Sequence, residues 1–191
     1  LYQDIITAPG EHLLWEFSHA ERGTNRDGES MFIILGSTEH AQTLTNYEQL
    51  QGLVREIIDY FQGVSEYKTD ADVLSYLIGE TDGVRNSIRY TQTIDSETKA
   101  VYEIWYNDAD ALRKSSDEAW TEILGEYLVP EKQYRTRLFF VTNPISGKGE
   151  SNYGNLIDSS RGGQYKDFLI EYYEEEYELD DNGATVLKRK L

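Results

Sequence analysis

A helical hydrophobic pattern between two regions of strand-type sequence is the feature that most constrains the fold. Near the start, Leu13, Trp15 and Phe17 alternate with polar positions, the period-2 pattern of a half-buried strand. After residue 46 the apolar positions follow helical spacing instead; they are Leu50, Leu53, Val54, Ile57, Ile58 and Phe61. Strand-type composition then returns. The sequence therefore predicts a mainly β fold, one β-sandwich domain over 1–191 with residues 37–117 inserted into it.

The insertion is predicted to contain two helices. Asn46 is a suitable N-cap for the first helix, and Gly63 is placed to end it. A second apolar stripe begins near 69–70 and stops at Gly79. Segments that connect the elements of a rigid scaffold often carry the binding surface, so this α/β segment of about 80 residues (37–117) is expected to set the function of the chain.

Strands are predicted elsewhere from β-branched and aromatic runs. In the insertion, the strand-type segments 84–94 and 100–106 predict a hairpin joined through residues 95–98. Asn182 and Gly183 form a strong hairpin dipeptide between the last two strands. The remaining predicted strands are residues 31–35, 120–129, 134–142, 166–179 and 184–191.

Charge and composition exclude several classes of protein. The 35 acidic and 18 basic residues give a formal net charge of −17, which repels phosphate backbones and anionic membranes. The chain has no cysteine, so disulfides, thiol nucleophiles and Cys-based zinc sites are excluded. No apolar run of about 18 residues is present for a membrane span. Because Leu1 already lies in a strand pattern without a signal peptide, we expect a piece of a longer protein.

Metal binding is not predicted from the histidines. His12, His19 and His40 lack metal-site spacing such as H-x-x-x-H on a helix. Loop acids such as Asp27 and Asp110 leave a structural Ca²⁺ open, although no stretch matches an EF-hand loop. We therefore predict no metal site and no cofactor, with structural calcium as the alternative.

Catalytic signatures are also missing. Residues 147–149 do not continue as a phosphate-binding loop requires, and no G-x-S-x-G motif occurs. The acidic run over 171–181 is interpreted as the solvated face of an edge strand rather than as a glycosidase carboxylate pair. Trp15 and His19 are interpreted as framework residues of the sandwich rather than as a sugar-stacking pair. The sequence thus favours a protein that is not an enzyme.

Short motifs at the two ends of the chain together resemble a known family. They are 1–4, Pro9 with Gly10, Trp15, His19, Arg22 with Gly23, Met31, Tyr127, Val129 with Pro130, 136–140 and 154–158. Residues 1–36 and 118–170 thereby resemble a jelly-roll domain of the galactose-binding or carbohydrate-binding-module type. Such domains occur in wall-anchored, adhesin-like surface proteins of Gram-positive bacteria. The resemblance implies a jelly-roll β-sandwich in an extracellular, cell-wall-anchored protein.

The resemblance also implies a non-catalytic recognition or adhesion module that binds a glycan or a host glycoprotein. Two alternatives stay open: a protein-binding module that uses residues 40–117 to bind a host protein such as mucin or immunoglobulin, and a structural spacer. Candidate ligand-binding residues combine charged side chains of the rim loops with aromatic side chains expected at the surface. They are Arg22, Asp27, Tyr102, Trp105, Tyr106, Lys148, Tyr153 and Tyr165.

Overall fold

The fold is described from a computed structural model of the chain. The described residues are 2–20, 30–108, 120–142, 164–179, 182 and 185–190. Side-chain surroundings are described for 2–18, 30–107, 122–141, 169–171 and 182.

Eleven strands and three helices form within the described residues. The strands are β1 (Tyr2–Ile6), β2 (His12–Ala20), β3 (Ser30–Ser37), β4 (Glu80–Thr81), β5 (Val84–Arg85), β6 (Ile88–Thr93), β7 (Lys99–Asp108), β8 (Trp120–Leu128), β9 (Arg135–Thr142), β10 (Gln164–Leu179) and β11 (Thr185–Lys190). The helices are α1 (Thr38–Ala41), α2 (Tyr47–Val64) and α3 (Asp70–Ile78). The predicted mainly β class is confirmed, and both predicted helices are present as α2 and α3.

The strands form two larger sheets and one small hairpin. One sheet has the order β1-β9-β3-β7-β6, and the other has the order β11-β10-β2-β8. Strands β4 and β5 pair with each other. Every pairing between described strands is antiparallel. The predicted hairpin of the insertion is β6 with β7.

Strand β3 shows why the five-stranded sheet is covered on both faces. Its side chains alternate, so that Ile33 faces the four-stranded sheet while Phe32 and Ile34 face the helices. The inter-sheet core includes Trp15 of β2 and Trp105 of β7, both of which are buried. A strand buried on both faces reads as a continuous apolar run, which explains the sequence of residues 31–35.

Helices α2 and α3 begin at complete capping boxes. The Asn46 side chain accepts from the Gln49 N–H, and Thr69 accepts from the Asp72 N–H. In return, the backbone N–H of each cap residue donates to the side chain three residues later, Asn46 to Gln49 Oε1 and Thr69 to Asp72 Oδ2. The buried stripe of α2 then packs on the outer face of the five-stranded sheet, with Ile57 fully buried.

Two features differ from the interpretation of the sequence. Strand β7, which lies inside 37–117, is an interior strand between β3 and β6, so this segment supplies part of the sheet itself. Strand β10 is not an edge strand, because β11 pairs along its acidic end. The backbone register sets Glu174, Glu175 and Glu176 opposite Lys190, Arg189 and Lys188.

Candidate functional site: a polar cleft beside the β4–β5 hairpin

A cleft of about 640 Å³ opens beside the β4–β5 hairpin. Residues of β6, β7 and β8, together with the first residue of β2, complete its walls. Its volume falls within the range typical of small-ligand sites. The titratable side chains that line it are His12, Asp82, Arg85, Arg89, Glu103 and Glu126.

The hairpin turn is built from Asp82 and Gly83. Both have positive φ, +54° and +80°, as a two-residue type I′ turn requires, and Asp-Gly is a favoured sequence for that turn. Just after the hairpin, the Asn86 N–H donates to the Gly79 carbonyl at 2.9 Å, and Asn86 Nδ2 donates to the Tyr76 carbonyl at 2.8 Å. These two hydrogen bonds of Asn86 fix the hairpin to the end of α3 and so hold one wall of the cleft in place.

Glu103 is a buried carboxylate with both oxygens engaged. Ser87 Oγ donates to its Oε1 at 2.7 Å, and Arg89 donates to its Oε2 through Nε at 3.1 Å and Nη2 at 3.0 Å. Burial raises the pKa of Glu103, and the hydrogen bonds and the Arg89 charge oppose that rise. Glu103 therefore fixes the positions of the Ser87 hydroxyl and the Arg89 guanidinium.

Arg89 joins the cleft to strand β8. Its Nη2 also donates to the Leu128 carbonyl, and its guanidinium lies 5.2 Å from the centroid of the Tyr127 ring. Tyr127 is fully buried in the inter-sheet core. Cation–π contact and the ion pair with Glu103 therefore hold Arg89 from two directions.

Arg85 differs from Arg89 in its partners. It is 7% exposed, and its Nη1 donates to the Tyr106 carbonyl at 3.1 Å and to Asn107 Oδ1 at 3.3 Å. Its Nε is buried and has no hydrogen-bond partner among the described residues. Burial lowers the pKa of Arg85, and the Glu80 charge opposes that change. Donor groups of this guanidinium therefore remain for a ligand.

His12 of β2 and Glu126 of β8 also line the cleft. His12 Nδ1 is 3.7 Å from Glu126 Oε1. The cleft thus presents guanidinium donors, carboxylate acceptors and an imidazole around one opening. This combination suits a ligand with several hydroxyl groups and at least one anionic group.

Three aromatic residues predicted to lie at the surface are buried instead. Tyr102 and Tyr106 are each 2% exposed and pack against the helices, and Trp105 is 0% exposed between the sheets. Their predicted surface position is wrong, because β7 is covered on both faces. None of these rings can stack on a ligand at the surface.

The side-chain surroundings of the remaining candidate residues are not described. Arg22, Asp27, Lys148 and Tyr153 lie outside the described residues. Tyr165 lies in β10 with its backbone opposite His19, and the surroundings of its side chain are not among those described. Their roles stay predictions. Trp15, interpreted as a framework residue, is confirmed as part of the inter-sheet core.

No group of three or more His, Asp or Glu side chains is arranged to hold a metal ion in the described part of the chain. Asp27 and Asp110, named above for calcium, are not in that part. Among the described helices, none is long and apolar enough to cross a membrane.

Comparison with protein-family models, with curated proteins and with solved structures finds no match to this chain. The jelly-roll and carbohydrate-binding resemblance therefore stays a prediction.

The cleft residues are not among the ligand-binding residues predicted from the sequence. One signal was available: Asp82 and Gly83 form a hairpin dipeptide between two short β-type segments. Arg85, Arg89 and Glu103 carry no motif, since their meeting depends on the pairing of β6 with β7. The proximity of His12 and Glu126 depends on the pairing of β2 with β8.

Proposed function

We propose that this protein is a non-catalytic recognition module that binds a glycan, or the glycan of a glycoprotein, in the cleft beside the β4–β5 hairpin. The proposal includes the jelly-roll topology and the extracellular, cell-wall-anchored location that the sequence resemblance implies. The observation that carries it is Arg85, a nearly buried guanidinium with unused donors on the wall of a polar cleft.

Binding rather than hydrolysis is supported by the hydrogen bonds of one cleft carboxylate, Glu103. A glycosidase needs one carboxylic acid free to protonate the leaving group and a second carboxylate for the nucleophile or base. Both oxygens of Glu103 instead accept hydrogen bonds, one from Ser87 and the other from Arg89. A carboxylate held in this way fixes the orientation of the Arg89 guanidinium.

A second candidate function is protein binding by the 40–117 segment, and exposed aromatic surface favours it. Tyr60 on α2 is 46% exposed and packs against Tyr90 of β6 at a ring-centroid distance of 5.1 Å. Glu56 accepts hydrogen bonds from Tyr90 Oη and Gln92 Nε2 beside it. Tyr rings held in place are frequent anchors of protein interfaces.

Blocking the cleft tests the first function. Leu128 lines the cleft and is 43% exposed, so Leu128→Trp places a large ring at its opening. Leu169 is equally exposed, at 43%, and does not line the cleft, so Leu169→Trp is the matched control. On a glycan array, we expect the unmodified chain and Leu169→Trp to bind the same glycans, and Leu128→Trp to lose them.

Other outcomes decide against cleft recognition. An array on which the unmodified chain binds no glycan would contradict it. Equal binding by both Trp variants would place the ligand elsewhere. Capture of mucin or immunoglobulin that survives Leu128→Trp but is lost in Tyr60→Ala would favour the protein-binding function of the 40–117 segment. Release of free sugar from a bound glycan would contradict the non-catalytic assignment.

A further inference from the structure

The two arginines of the cleft differ in their ion pairs with the described residues. Arg89 forms an ion pair with Glu103 at 3.0 Å. His12 lies beside Glu126. Arg85 has no ion pair within the described residues, and both acceptors of its Nη1 are uncharged, the Tyr106 carbonyl and the Asn107 amide oxygen. Among the described residues, no carboxylate is hydrogen-bonded to Arg85 to balance its charge.

Burial makes this imbalance costly. A guanidinium taken out of water loses hydration that only an anion or several good acceptors restore. Arg85 is 7% exposed, and its Nε has no acceptor among the described residues. Of the five N–H donors of a guanidinium, the described hydrogen bonds account for Nη1 alone. An anion arriving through the cleft would complete the set.

The neighbouring acid does not fill this role. Glu80 is near enough to influence Arg85 through its charge, but no described hydrogen bond joins them. Glu80 is exposed on β4, where water competes for its carboxylate. No described carboxylate therefore forms a hydrogen bond with Arg85, and its remaining donors can bind an anion that enters the cleft.

We propose that the cleft selects an acidic sugar, such as a uronic or sialic acid, and that the ligand carboxylate pairs with Arg85. This inference rests on the proposed glycan-binding function. A planar carboxylate matches the fork of a guanidinium, which can donate two parallel hydrogen bonds to it. The sugar hydroxyls then meet the acceptors of Glu126 and Asp82, which line the same cleft.

Charge distinguishes a carboxylate from a phosphate at this cleft. A phosphate monoester carries close to two negative charges near neutral pH. The cleft walls already include Asp82, Glu103 and Glu126, and the whole chain carries a net charge of −17. A singly charged carboxylate balances Arg85 with less repulsion from these acids.

Calorimetric titration of the full chain tests the proposal with a matched pair of ligands. One is an oligosaccharide that contains glucuronic or sialic acid, and the other is the same oligosaccharide with its carboxyl group reduced to an alcohol. We expect the acidic form to bind about 10- to 100-fold more tightly, the usual value of a hydrogen-bonded charged pair. Equal affinity would overturn the acidic-sugar inference and leave glycan binding intact, whereas binding of neither form would contradict the proposed function for these sugars.

Variants then assign the preference to Arg85. We expect Arg85→Gln to remove the preference for the acidic form, and Arg85→Lys to reduce it because Lys lacks the fork. Arg135→Gln is the control, because Arg135 is exposed on β9 and does not line the cleft. Circular dichroism checks that each variant folds. A preference retained in both Arg85 variants would overturn the assignment, and the ligand pair decides the proposal even if Arg85→Gln does not fold.

Competition separates the possible sources of the anion. Inorganic sulfate and a short peptide with a free C-terminal carboxylate are added against the acidic oligosaccharide. We expect neither to compete at concentrations that saturate the sugar, because neither supplies the hydroxyl groups. Displacement by sulfate would indicate a general anion site, and displacement by the peptide would indicate a carboxylate-terminated protein ligand; either would contradict sugar-acid selection.

Discussion

The two faces of the five-stranded sheet are covered by different kinds of structure. On the inner face, Trp105 meets Trp15 of the other sheet with ring centroids 5.0 Å apart and an interplanar angle of 88°. On the outer face, helices α2 and α3 cover the sheet, with Val54 and Ile57 of α2 and Leu77 of α3 fully buried. The inner core thus depends on strands distant in sequence, while much of the outer core comes from one continuous segment.

The inner face also changes character along β7. Trp105 is 0% exposed in the inter-sheet core, whereas Glu103, two residues earlier and therefore on the same face, lines the polar cleft. The cleft is accordingly an extension of the sandwich interior, made polar by Glu103 and Arg89. The outer face of β7 shows no such change, since Tyr102, Ile104 and Tyr106 all belong to its core.

Deletion of residues 40–117 should have the largest effect on this comparison. The deletion removes α2 and α3 from the outer face, and β6 and β7 with Trp105 from the sheet and the inner core. We expect the shortened chain to lose cooperative thermal unfolding and near-ultraviolet circular dichroism, both retained by the full chain. A cooperative transition in the shortened chain would mean that the segment is a separable insertion.

Truncating one isoleucine on each face compares the two cores directly. Ile33 faces the other sheet and Ile57 lies on α2, and each is 0% exposed. We expect Ile57→Ala to cost about 3 kcal/mol in urea unfolding and Ile33→Ala about 4 kcal/mol, within the usual range for such truncations. The larger cost follows because Ile33 lies in a strand hydrogen-bonded on both sides, whereas a helix can shift into the cavity. A larger loss at Ile57 would reverse this ranking.

Gly125→Ala should break the inner core by overpacking. Gly125 of β8 pairs with Trp15 of β2, and an added Cβ would lie 2.0 Å from Trp15 Cζ2. We expect a loss of about 3 kcal/mol in the free energy of unfolding, at the upper end for overpacked cores. Gly52→Ala in α2 is the control, because its Cβ meets nothing within 4 Å and should add about 0.5–1 kcal/mol of helix stability. Equal melting temperatures for the two variants would contradict the contact of Gly125 with Trp15.

The parts of the fold that the sequence predicted are the local ones. Helix α2 was predictable because spacing, Asn46 and the polar face all lie within one short segment. Sheet order was not, since β1 pairs with β9 through residues such as Asp4 and Arg137, 133 positions apart. The surface position predicted for Trp105 is wrong, because Trp105 lies in a run of residues that is apolar on both faces of its strand. Such runs are typical of strands that are covered on both faces.

The candidate site was still less predictable. Its charged residues come from separate strands and one hairpin, and each alone resembles ordinary surface charge. What distinguishes Arg85 is burial without a carboxylate partner, a property of the folded chain and not of any local motif. The net charge of −17 disfavours an anion-binding site, because a total charge does not show that Arg85 and Arg89 line the same cleft.

Removing the charge of Asp4 should give the smallest effect, at the edge of the five-stranded sheet. Arg137 Nε and Nη2 donate to Asp4 Oδ1 and Oδ2 at 2.6 and 2.8 Å, and these bonds hold the pKa of Asp4 below 3.8. A lowered folded-state pKa means that the pair stabilises the fold above the unfolded value and that this stability is lost as pH falls through the folded value. Near neutral pH we expect Asp4→Asn to cost about 1 kcal/mol, as measured by urea unfolding.

The pH dependence distinguishes this ion pair from simple packing of β1. The difference in unfolding free energy between the unmodified chain and Asp4→Asn should begin to shrink as pH falls below the unfolded value, near 3.8, and vanish below the folded pKa. Asp59→Asn is the control, since Asp59 forms an exposed pair with Arg55 within α2 and should change stability by less than about 0.5 kcal/mol. A difference for Asp4→Asn that persists unchanged in acid would mean that the charge of Asp4 does not stabilise β1. Backbone pairing with β9 and the contact of the Arg137 guanidinium with the Tyr2 ring, at 4.1 Å, would then hold the strand.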